Sequence, residues 1–196
     1  HSCTTEFSDT FFTPWEEKLP TAVFRGTTTG CGVTVETNPR LKVSYMSKHQ
    51  TIDESGIPYL DAGITKWNTR PRKLEGNSEL QIIDVPSLGF DKVGFLNYEQ
   101  QSKYKYVIHI EGHVEAFRLS LELAMRMVIL KVESQWKVWF SDMLIPGVHY
   151  IPVKSDLSDL IEQIKWCREH DEECKQIARN AREFYDQYLH KEGILD

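Results

Sequence analysis

The segment IHIEGHVEAFR, residues 108–118, joins an apolar strand pattern to a helical pattern through a short polar turn. Arg118 follows that turn, and its planar guanidinium can bind two phosphate oxygens at once, a geometry that lysine lacks. Phe117 beside it could form the wall of a base or sugar site. The alternative is that Arg118 is a solvated or ion-paired surface residue.

A second segment, RGTTTGCG at residues 25–32, is rich in Gly and Thr and contains the end of the apolar run TAVFRG. Such a loop can turn backbone N–H groups and hydroxyls toward an anion, and a following helix N-terminus adds a favourable partial charge. A diphosphate is the ligand that this chemistry favours. Because the GxxxxGK[ST] phosphate-loop pattern is absent, an ordinary turn is the alternative. We call residues 25–32 the Gly/Thr loop and residues 111–118 the Glu-Gly loop.

His109, Glu111 and His113 also raise the possibility of a metal site, because strand alternation places the first two on one face. The sequence has no HEXXH pattern, no pair of cysteines beside this cluster and no Asp-x-Asp. A histidine at a strand end is more often packed and hydrogen-bonded in the core. We therefore predict a metal-free site.

The elements that must position these loops follow from hydrophobic periodicity. Strands are predicted over residues 21–26, 58–65, 80–85, 104–110, 127–132 and 149–153. Helices are predicted from about residue 38, over 114–125, briefly within 136–144, after a cap formed by Ser155 and Asp156, and over 171–189. This alternation predicts an α/β, Rossmann-like fold with a mostly parallel sheet and helices on both faces. Ligands of such sheets gather at the carboxyl ends of the strands, where both loops fall.

Length and composition narrow the possible partners. The 196 residues, of which 40% are hydrophobic, are predicted to form a single α/β domain over residues 1–196. Residues 1–19 would be an extension or the remnant of a preceding lobe, and residues 171–190 a C-terminal packing helix. The formal charge of −6 argues against a nucleic-acid partner, and no apolar run is long enough to span a membrane. Since the sequence begins at His1 without a leader pattern, it is predicted to be a processed or excised piece.

The four cysteines favour free thiols. Cys167 and Cys174 lie seven apart on helical sequence, about 10 Å along a helix axis, whereas a disulfide needs Cα atoms within roughly 7 Å. Whether Cys3 and Cys31 could pair stays open. Free thiols are typical of a reducing compartment, so a cytoplasmic location is predicted, with the secretory-pathway lumen as the alternative.

Three segments in order resemble the protein O-glucosyltransferases, which are grouped with capsule xylosyltransferases as glycosyltransferase family 90. The segments are PWEEKLPTAVFRGTTTG, KYKYVIHIEGHVEAFRLSLELAMRMVILKV and WFSDMLIPGVHYIPVKSDLSDL. The resemblance extends over roughly residues 14–188, and the TGCG variant is similar to members from large DNA viruses. Ser102 and a residue near Ala124 stand where luminal animal members have cysteines.

The resemblance implies the C-terminal, donor-binding lobe of a two-lobed GT-B enzyme that is metal-independent and inverting. It would transfer glucose or xylose from UDP-glucose or UDP-xylose, without a further cofactor, to a hydroxyl of a glycan or protein. Arg118 would neutralise the diphosphate, and Arg40 is the nearest match to a second phosphate-binding arginine of the family. The predicted donor-binding residues are Arg25, Gly26, Thr27, Thr28, Thr29, Arg40, Glu111, Gly112, His113, Val114, Glu115, Ala116, Phe117 and Arg118.

The resemblance does not supply a catalytic base. In this family the acidic residue that deprotonates the acceptor belongs to the preceding lobe, and although Glu6 or Asp9 could lie near the cleft, the catalytic residue stays unknown. The alternative function is therefore a non-catalytic module that binds a nucleotide-sugar or a protein partner. A phosphatase or kinase would need an Asp-x-Asp or a lysine-bearing phosphate loop, and both are absent.

Overall fold

A computed structural model of the chain describes residues 12–49, 52–74, 78–112 and 118–190. Its centre is a five-stranded sheet of β1 (Leu19–Thr27), β2 (Leu60–Lys66), β5 (Tyr104–His109), β6 (Val128–Val132) and β7 (Ile151–Val153). The strand order is β2-β1-β5-β6-β7, and every neighbouring pair is parallel. The predicted α/β fold with a parallel sheet is confirmed.

Helices cover both faces of this sheet. They are α1 (Pro39–His49), α2 (Tyr98–Gln101), α3 (Arg118–Ala124), α4 (Leu160–Glu169) and α5 (Asp171–Phe184), with a π-helical turn over Tyr185–Leu189. Strand alternation divides the core in two, because Phe24 and Ile108 pack on the face covered by α1 and α4, whereas Val23 and Val107 pack beneath α3. Within the described ranges, no helix is long and apolar enough to cross a membrane.

The strand order creates a crevice at the carboxyl edge of the sheet. From β1 the chain runs to β2 on one side, and it later returns as β5 on the other side of β1. The connections that leave β1 and β5 therefore diverge, which is the arrangement in which open α/β sheets bind ligands. The Gly/Thr loop and the start of the Glu-Gly loop flank this point.

One strand prediction and one helix prediction are wrong, because the observed elements are much shorter than predicted. The segment at residues 80–85 forms only the two-residue β4 (Leu80–Gln81), which pairs with β3 (Arg72–Lys73) outside the main sheet. The helix predicted within residues 136–144 is a single 3-10 turn over Ser141–Met143.

The predicted cap of α4 is also wrong, because a turn precedes the helix. The carboxylate of Asp156 accepts from the N–H of Ser158 at 3.0 Å, and α4 begins only at Leu160. Asp159 occupies the N-cap position, but its side chain accepts from the N–H of Lys154 rather than from the helix.

The cysteines correct one prediction and confirm another. A break at His170 separates α4 from α5, so Cys167 and Cys174 do not lie along one helix axis, and the neighbouring Cys174 thiol raises the pKa of Cys167. Both are buried, and Cys167, Cys174 and the exposed Cys31 are free, as predicted. The compartment stays a prediction.

Candidate functional site

The Gly/Thr loop and the Glu-Gly loop are held together by the buried guanidinium of Arg40, on the first turn of α1. Its Nη1 donates to the carbonyl of Thr27 at 3.0 Å and to Oγ1 of Thr29 at 2.7 Å. Its Nη2 donates to the carbonyl of Ile110 at 2.7 Å, and its Nε to that of Glu111 at 3.1 Å. The two predicted elements therefore converge on one point.

Arg40 remains a cation in this position although burial opposes its charge. Burial and the nearby charge of Arg118 together lower the pKa of Arg40 to about 10, against a smaller opposing effect of Glu111 and Glu122. Because its guanidinium already donates to four acceptors, the structure gives Arg40 a positioning role. A direct contact between Arg40 and phosphate stays a prediction.

Asn38 joins the same arrangement from the N-cap position of α1. Its Oδ1 accepts from the N–H groups of Arg40 and Leu41, which satisfies two donors of the first helical turn. Its Nδ2 donates to the carbonyls of Thr29 and Gly32. The side chain that caps α1 therefore also fixes the shape of the Gly/Thr loop.

Arg72, on β3, fixes the far side of the loop. It is buried, and it donates to the carbonyls of Gly32, Thr28 and Asn68. The hydroxyl of Thr28 also turns inward, where it accepts from the N–H of Asn68 at 2.7 Å. The side chain of Thr28 is fully buried and does not line the crevice.

These contacts leave the backbone N–H groups at the tip of the loop without an acceptor among the described residues. The carbonyls of Thr27, Thr28, Thr29 and Gly32 are all taken by side chains of the protein. Gly30 and Gly32 have φ of 103° and 88°, so that successive N–H groups can point the same way. Within the described ranges, the N–H groups of residues 30–32 donate to no other group of the protein. The loop is thus arranged to receive an anion.

Gly112 permits the close approach of the second loop. A Cβ atom at this position would lie 2.8 Å from Oγ1 of Thr29 and 3.3 Å from Nη2 of Arg40. We expect Gly112→Ala to push the loops apart and to lower the free energy of unfolding by about 1 to 2 kcal/mol, as overpacking does. Thermal denaturation measures the change, and Gly94→Ala is the matched control because a Cβ there meets nothing within 4 Å. Equal melting temperatures for the two variants would contradict the close contact.

Arg118 contacts the Gly/Thr loop directly. Its Nη1 donates to the carbonyl of Arg25 at 2.6 Å, and its side chain is half-buried rather than solvated. The predicted residues His113, Val114, Glu115, Ala116 and Phe117 lie outside the described residues. Their part in the site stays a prediction.

Arg25 contributes its backbone to this site, but its side chain points elsewhere. The guanidinium pairs with the carboxylate of Asp61 on β2 at 2.7 Å and donates to the carbonyl of Gly94. Strand alternation explains this direction, since Arg25 lies on the same face as Val23, above the second core cluster. Gly26 and Thr27 follow at the carboxyl end of the strand, inside the convergence of the two loops.

His109 lies buried beneath the Glu-Gly loop between two carboxylates. Its Nδ1 is 2.6 Å from Oε2 of Glu122 on α3, and its Nε2 is 2.9 Å from Oε1 of Glu111. Burial lowers the pKa of His109, but the charges and hydrogen bonds of the carboxylates outweigh it and raise that pKa to about 9. The imidazole is therefore a buried cation that fixes Glu111. Among the described residues, no group of three His, Cys, Asp or Glu side chains is arranged to hold a metal ion.

A cavity of about 180 Å³ opens where these parts meet. It is lined by Gly30, Cys31, Thr37, Pro39, Ile110, Glu111, Gly112, Val132, Glu133, Ser134, Gln135 and Trp136. The residues from Val132 to Trp136 were missed by the sequence analysis, although they follow β6 at the same edge of the sheet. The carboxyl-end rule, applied to this third strand, identifies them. Trp136 is 43% exposed and forms an aromatic wall.

Comparison with known proteins gives one matching family and related viral and animal chains. The model of Glycosyl transferase family 90 matches residues 8–196. Uncharacterized protein 179R of Invertebrate iridescent virus 6 is 51% identical over 206 residues, which cover 99% of this chain and 17% of that protein. Protein O-glucosyltransferase 3 of Rattus norvegicus is 31% identical over 168 residues, which cover 86% of this chain and 28% of that protein. The chain thus spans less than a third of either relative.

The fold has a counterpart among solved structures. The crystal structure of the C-terminal domain of Glycosyl Transferase Group 1 Family Protein (LpcC) from Francisella tularensis aligns with a TM-score of 0.51. The alignment covers 91% of this chain and 89% of that domain at 12% identity, so that the likeness concerns the fold alone.

Proposed function

Because the chain belongs to glycosyltransferase family 90, we propose that it is the donor-binding lobe of an enzyme that transfers a sugar from UDP to a hydroxyl group. The family assignment confirms the resemblance drawn from the three sequence segments. The proposal extends it to glucose or xylose as the sugar, to a glycan or protein as the acceptor, and to an inverting, metal-independent reaction.

One observation carries the proposal: the N–H groups of residues 30–32, at the crevice between the ends of β1 and β5, have no acceptor among the described residues. Arg40, Asn38 and Arg72 hold the carbonyls of the loop inward, so the N–H groups need no rearrangement to meet an anion. The N-terminus of α1 lines the same cavity and adds its partial positive charge. The diphosphate of a nucleotide-sugar, which joins the sugar to the nucleoside, is an anion that this surface fits.

The proposed chemistry follows from where charge develops. The acceptor oxygen attacks the anomeric carbon from the face opposite the leaving group while the bond from that carbon to the diphosphate oxygen breaks. The proton of the acceptor goes to a base of the preceding lobe, and negative charge accumulates on UDP. Arg118 and the N–H groups of residues 30–32 lie at the edge of the sheet where they would stabilise that charge without reorganisation.

The cavity has the size of part of a donor site. Its volume of about 180 Å³ is below the ~300 Å³ at which complete ligand sites begin. This supports a crevice that a preceding lobe completes, bringing the acceptor site and the base. Glu6 and Asp9 lie outside the described residues, so neither is assigned that role.

UDP binding tests the proposal. At about 100 times its dissociation constant, UDP should raise the melting temperature by roughly 5 to 10 °C, since a ligand that binds only the folded state stabilises it. The increase should persist in EDTA, uridine should give much less of it, and Arg118→Ala should remove it. Arg70→Ala, which changes an exposed arginine, is the control and should respond like the unaltered protein. An unchanged melting curve at millimolar UDP would refute the proposal.

The same observation also supports the second candidate function, a binding module without transferase activity. The two differ only when the preceding lobe is present. Transfer of labelled sugar from UDP-glucose or UDP-xylose by the longest natural chain would identify an enzyme, and binding without turnover the module.

A further inference from the structure

The end of β6 forms a wall of the donor crevice whose chemistry differs from that of the opposite side. The Gly/Thr loop and the first residues of α1 offer N–H groups and a partial positive charge. The wall at residues 133–136 offers instead a carboxylate, a carboxamide and an aromatic ring, on Glu133, Gln135 and Trp136. A ligand that spans the cavity therefore fits best with an anionic part at one side and an uncharged part at the other.

Trp136 is held at this wall by a local turn. Its backbone N–H donates to Oγ of Ser134 at 3.1 Å. Among the described residues, its indole contacts no other aromatic ring, and its Nε1 donates to no group. Trp136 is also the one aromatic side chain among the described residues that line the cavity. A half-exposed ring in this position can stack on the flat face of a ligand.

Glu133 presents the second group of this wall, an exposed carboxylate. Its N–H donates to the carbonyl of Val153 at 2.8 Å, so that the pairing of β6 with β7 continues one residue past the strand and fixes the backbone there. Within the described ranges, its side chain forms neither an ion pair nor a hydrogen bond. Because like charges repel, a carboxylate here disfavours phosphate and favours hydroxyl groups, which can donate to both of its oxygens.

The nucleoside of the donor fits this wall better than the transferred sugar does. In the proposed reaction the anomeric carbon must face the acceptor oxygen and the base, both of which the preceding lobe brings. The nucleoside stays on the leaving group, so it must be held by the lobe that binds the diphosphate. A nucleobase has the flat face that stacks on an indole, and ribose has two adjacent hydroxyls that suit a carboxylate.

We propose that the end of β6 binds the nucleoside of the donor, with Trp136 stacked on the base and the carboxylate of Glu133 accepting from the 2′- and 3′-hydroxyls of the ribose. Both contacts rest on the proposed donor function and extend it to residues that lie outside the two loops. They make the lobe selective for a ribonucleotide, because removal of the 2′-hydroxyl leaves the carboxylate with one donor instead of two.

Titrations with UDP and inorganic pyrophosphate test the contact of Trp136. The backbone ¹H–¹⁵N resonances of Gly30 and Gly32 are followed by NMR, because they report on the diphosphate site in every variant. Trp136→Ala should weaken UDP binding by at least about fivefold and leave the affinity for pyrophosphate within about twofold. Trp139→Ala is the matched control, since Trp139 is a more exposed tryptophan that packs on Phe140 and does not line the cavity.

Titrations with UDP and 2′-deoxy-UDP test the contact of Glu133. The unaltered protein should bind UDP at least about tenfold more tightly than 2′-deoxy-UDP, since the deoxy compound loses a hydrogen bond to a charged group. In Glu133→Ala this ratio should fall to less than about threefold, because neither compound then meets a carboxylate. Glu169→Ala, at an exposed position of α4, is the matched control and should keep the ratio of the unaltered protein.

An unchanged ratio of UDP to 2′-deoxy-UDP affinity in Glu133→Ala, or an unchanged UDP affinity in Trp136→Ala, would overturn the assignment. So would a Glu133→Ala variant that loses affinity for UDP-glucose relative to UDP without changing that ratio, because the wall would then hold the transferred sugar. Each of these results leaves UDP bound at the Gly/Thr loop. If neither UDP nor pyrophosphate shifts the Gly30 and Gly32 resonances of the unaltered protein, the proposed donor function itself fails, and the nucleoside site fails with it.

Discussion

Replacing Arg40 with methionine is expected to lower the free energy of unfolding by about 3 to 5 kcal/mol and to abolish the thermal shift produced by UDP. Methionine fills much of the same space but removes one donor from the carbonyls of Ile110 and Glu111 and leaves the carbonyl of Thr27 with the N–H of Thr29. The folded protein loses stability when a buried carbonyl loses a hydrogen-bond donor. The two loops would also lose their common support, so that the N–H groups of residues 30–32 would no longer be held in place. Urea unfolding with and without UDP measures both effects.

Arg40→Lys separates geometry from charge. Lysine keeps a positive charge but cannot reach four acceptors in the planar arrangement of a guanidinium, so we expect most of the stability and nearly all of the UDP response to be lost. Arg70→Met controls for the removal of an arginine from the surface and should change stability by less than about 0.5 kcal/mol. A UDP response that survives in Arg40→Met would show that the Gly/Thr loop keeps its shape without this residue.

The positions of the two loops were predictable because they depend on local pattern and on one general rule. Alternating strands and helices indicate a parallel sheet, and the ends of TAVFRG and YKYVIHI fall at its carboxyl edge whatever the detailed packing. Thr29 and Gly112 were therefore correctly placed near each other before any contact was known.

The contacts that shape the loops were not predictable in the same way. Arg72 reaches the Gly/Thr loop from a separate two-stranded ribbon, across 44 residues of sequence to Thr28. Arg40 bonds to the Glu-Gly loop across 71 residues. Neither distance leaves a signal in the spacing of residue types, and both arginines occur in polar segments that are typical of surface loops.

Where the sequence predictions failed, a tertiary contact or a short turn had replaced the local preference. The apolar residues of LQIIDV favour a strand, but Ile82 is 57% exposed and only Ile83 is buried, so the segment gains little from pairing. Asp156 and Asp159 are good capping residues, yet they satisfy N–H groups of the turn before α4. A one-residue break at His170 was enough to bring Cys167 to Cys174.

Replacing His109 should remove the loss of stability that its deprotonation causes as the pH rises through about 9. In the folded protein the pKa of His109 is raised to about 9, above its ordinary value near 6.5, so its contribution is complete below the lower value. That contribution is lost as pH rises through about 9. The stability difference between the unaltered protein and His109→Asn should therefore shrink, by on the order of 3 kcal/mol, between about pH 6 and about pH 10. Urea unfolding at both pH values measures it.

Comparing the unaltered protein with His109→Asn separates the effect of His109 from that of Lys18, which changes stability with pH in the opposite direction. Burial lowers the pKa of Lys18 to about 7, so that Lys18 makes the folded protein more stable as pH rises above this value, but it does so equally in both proteins. His109→Asn also leaves Glu122 buried at 2% exposure without the cation that contacts its Oε2, while its Oε1 has no hydrogen-bond partner among the described residues. His49→Asn, at an exposed position, should leave the pH dependence unchanged. If the stability difference stays constant over this range, then His109 is neutral in the fold, and Glu111 is fixed by something other than a buried cation.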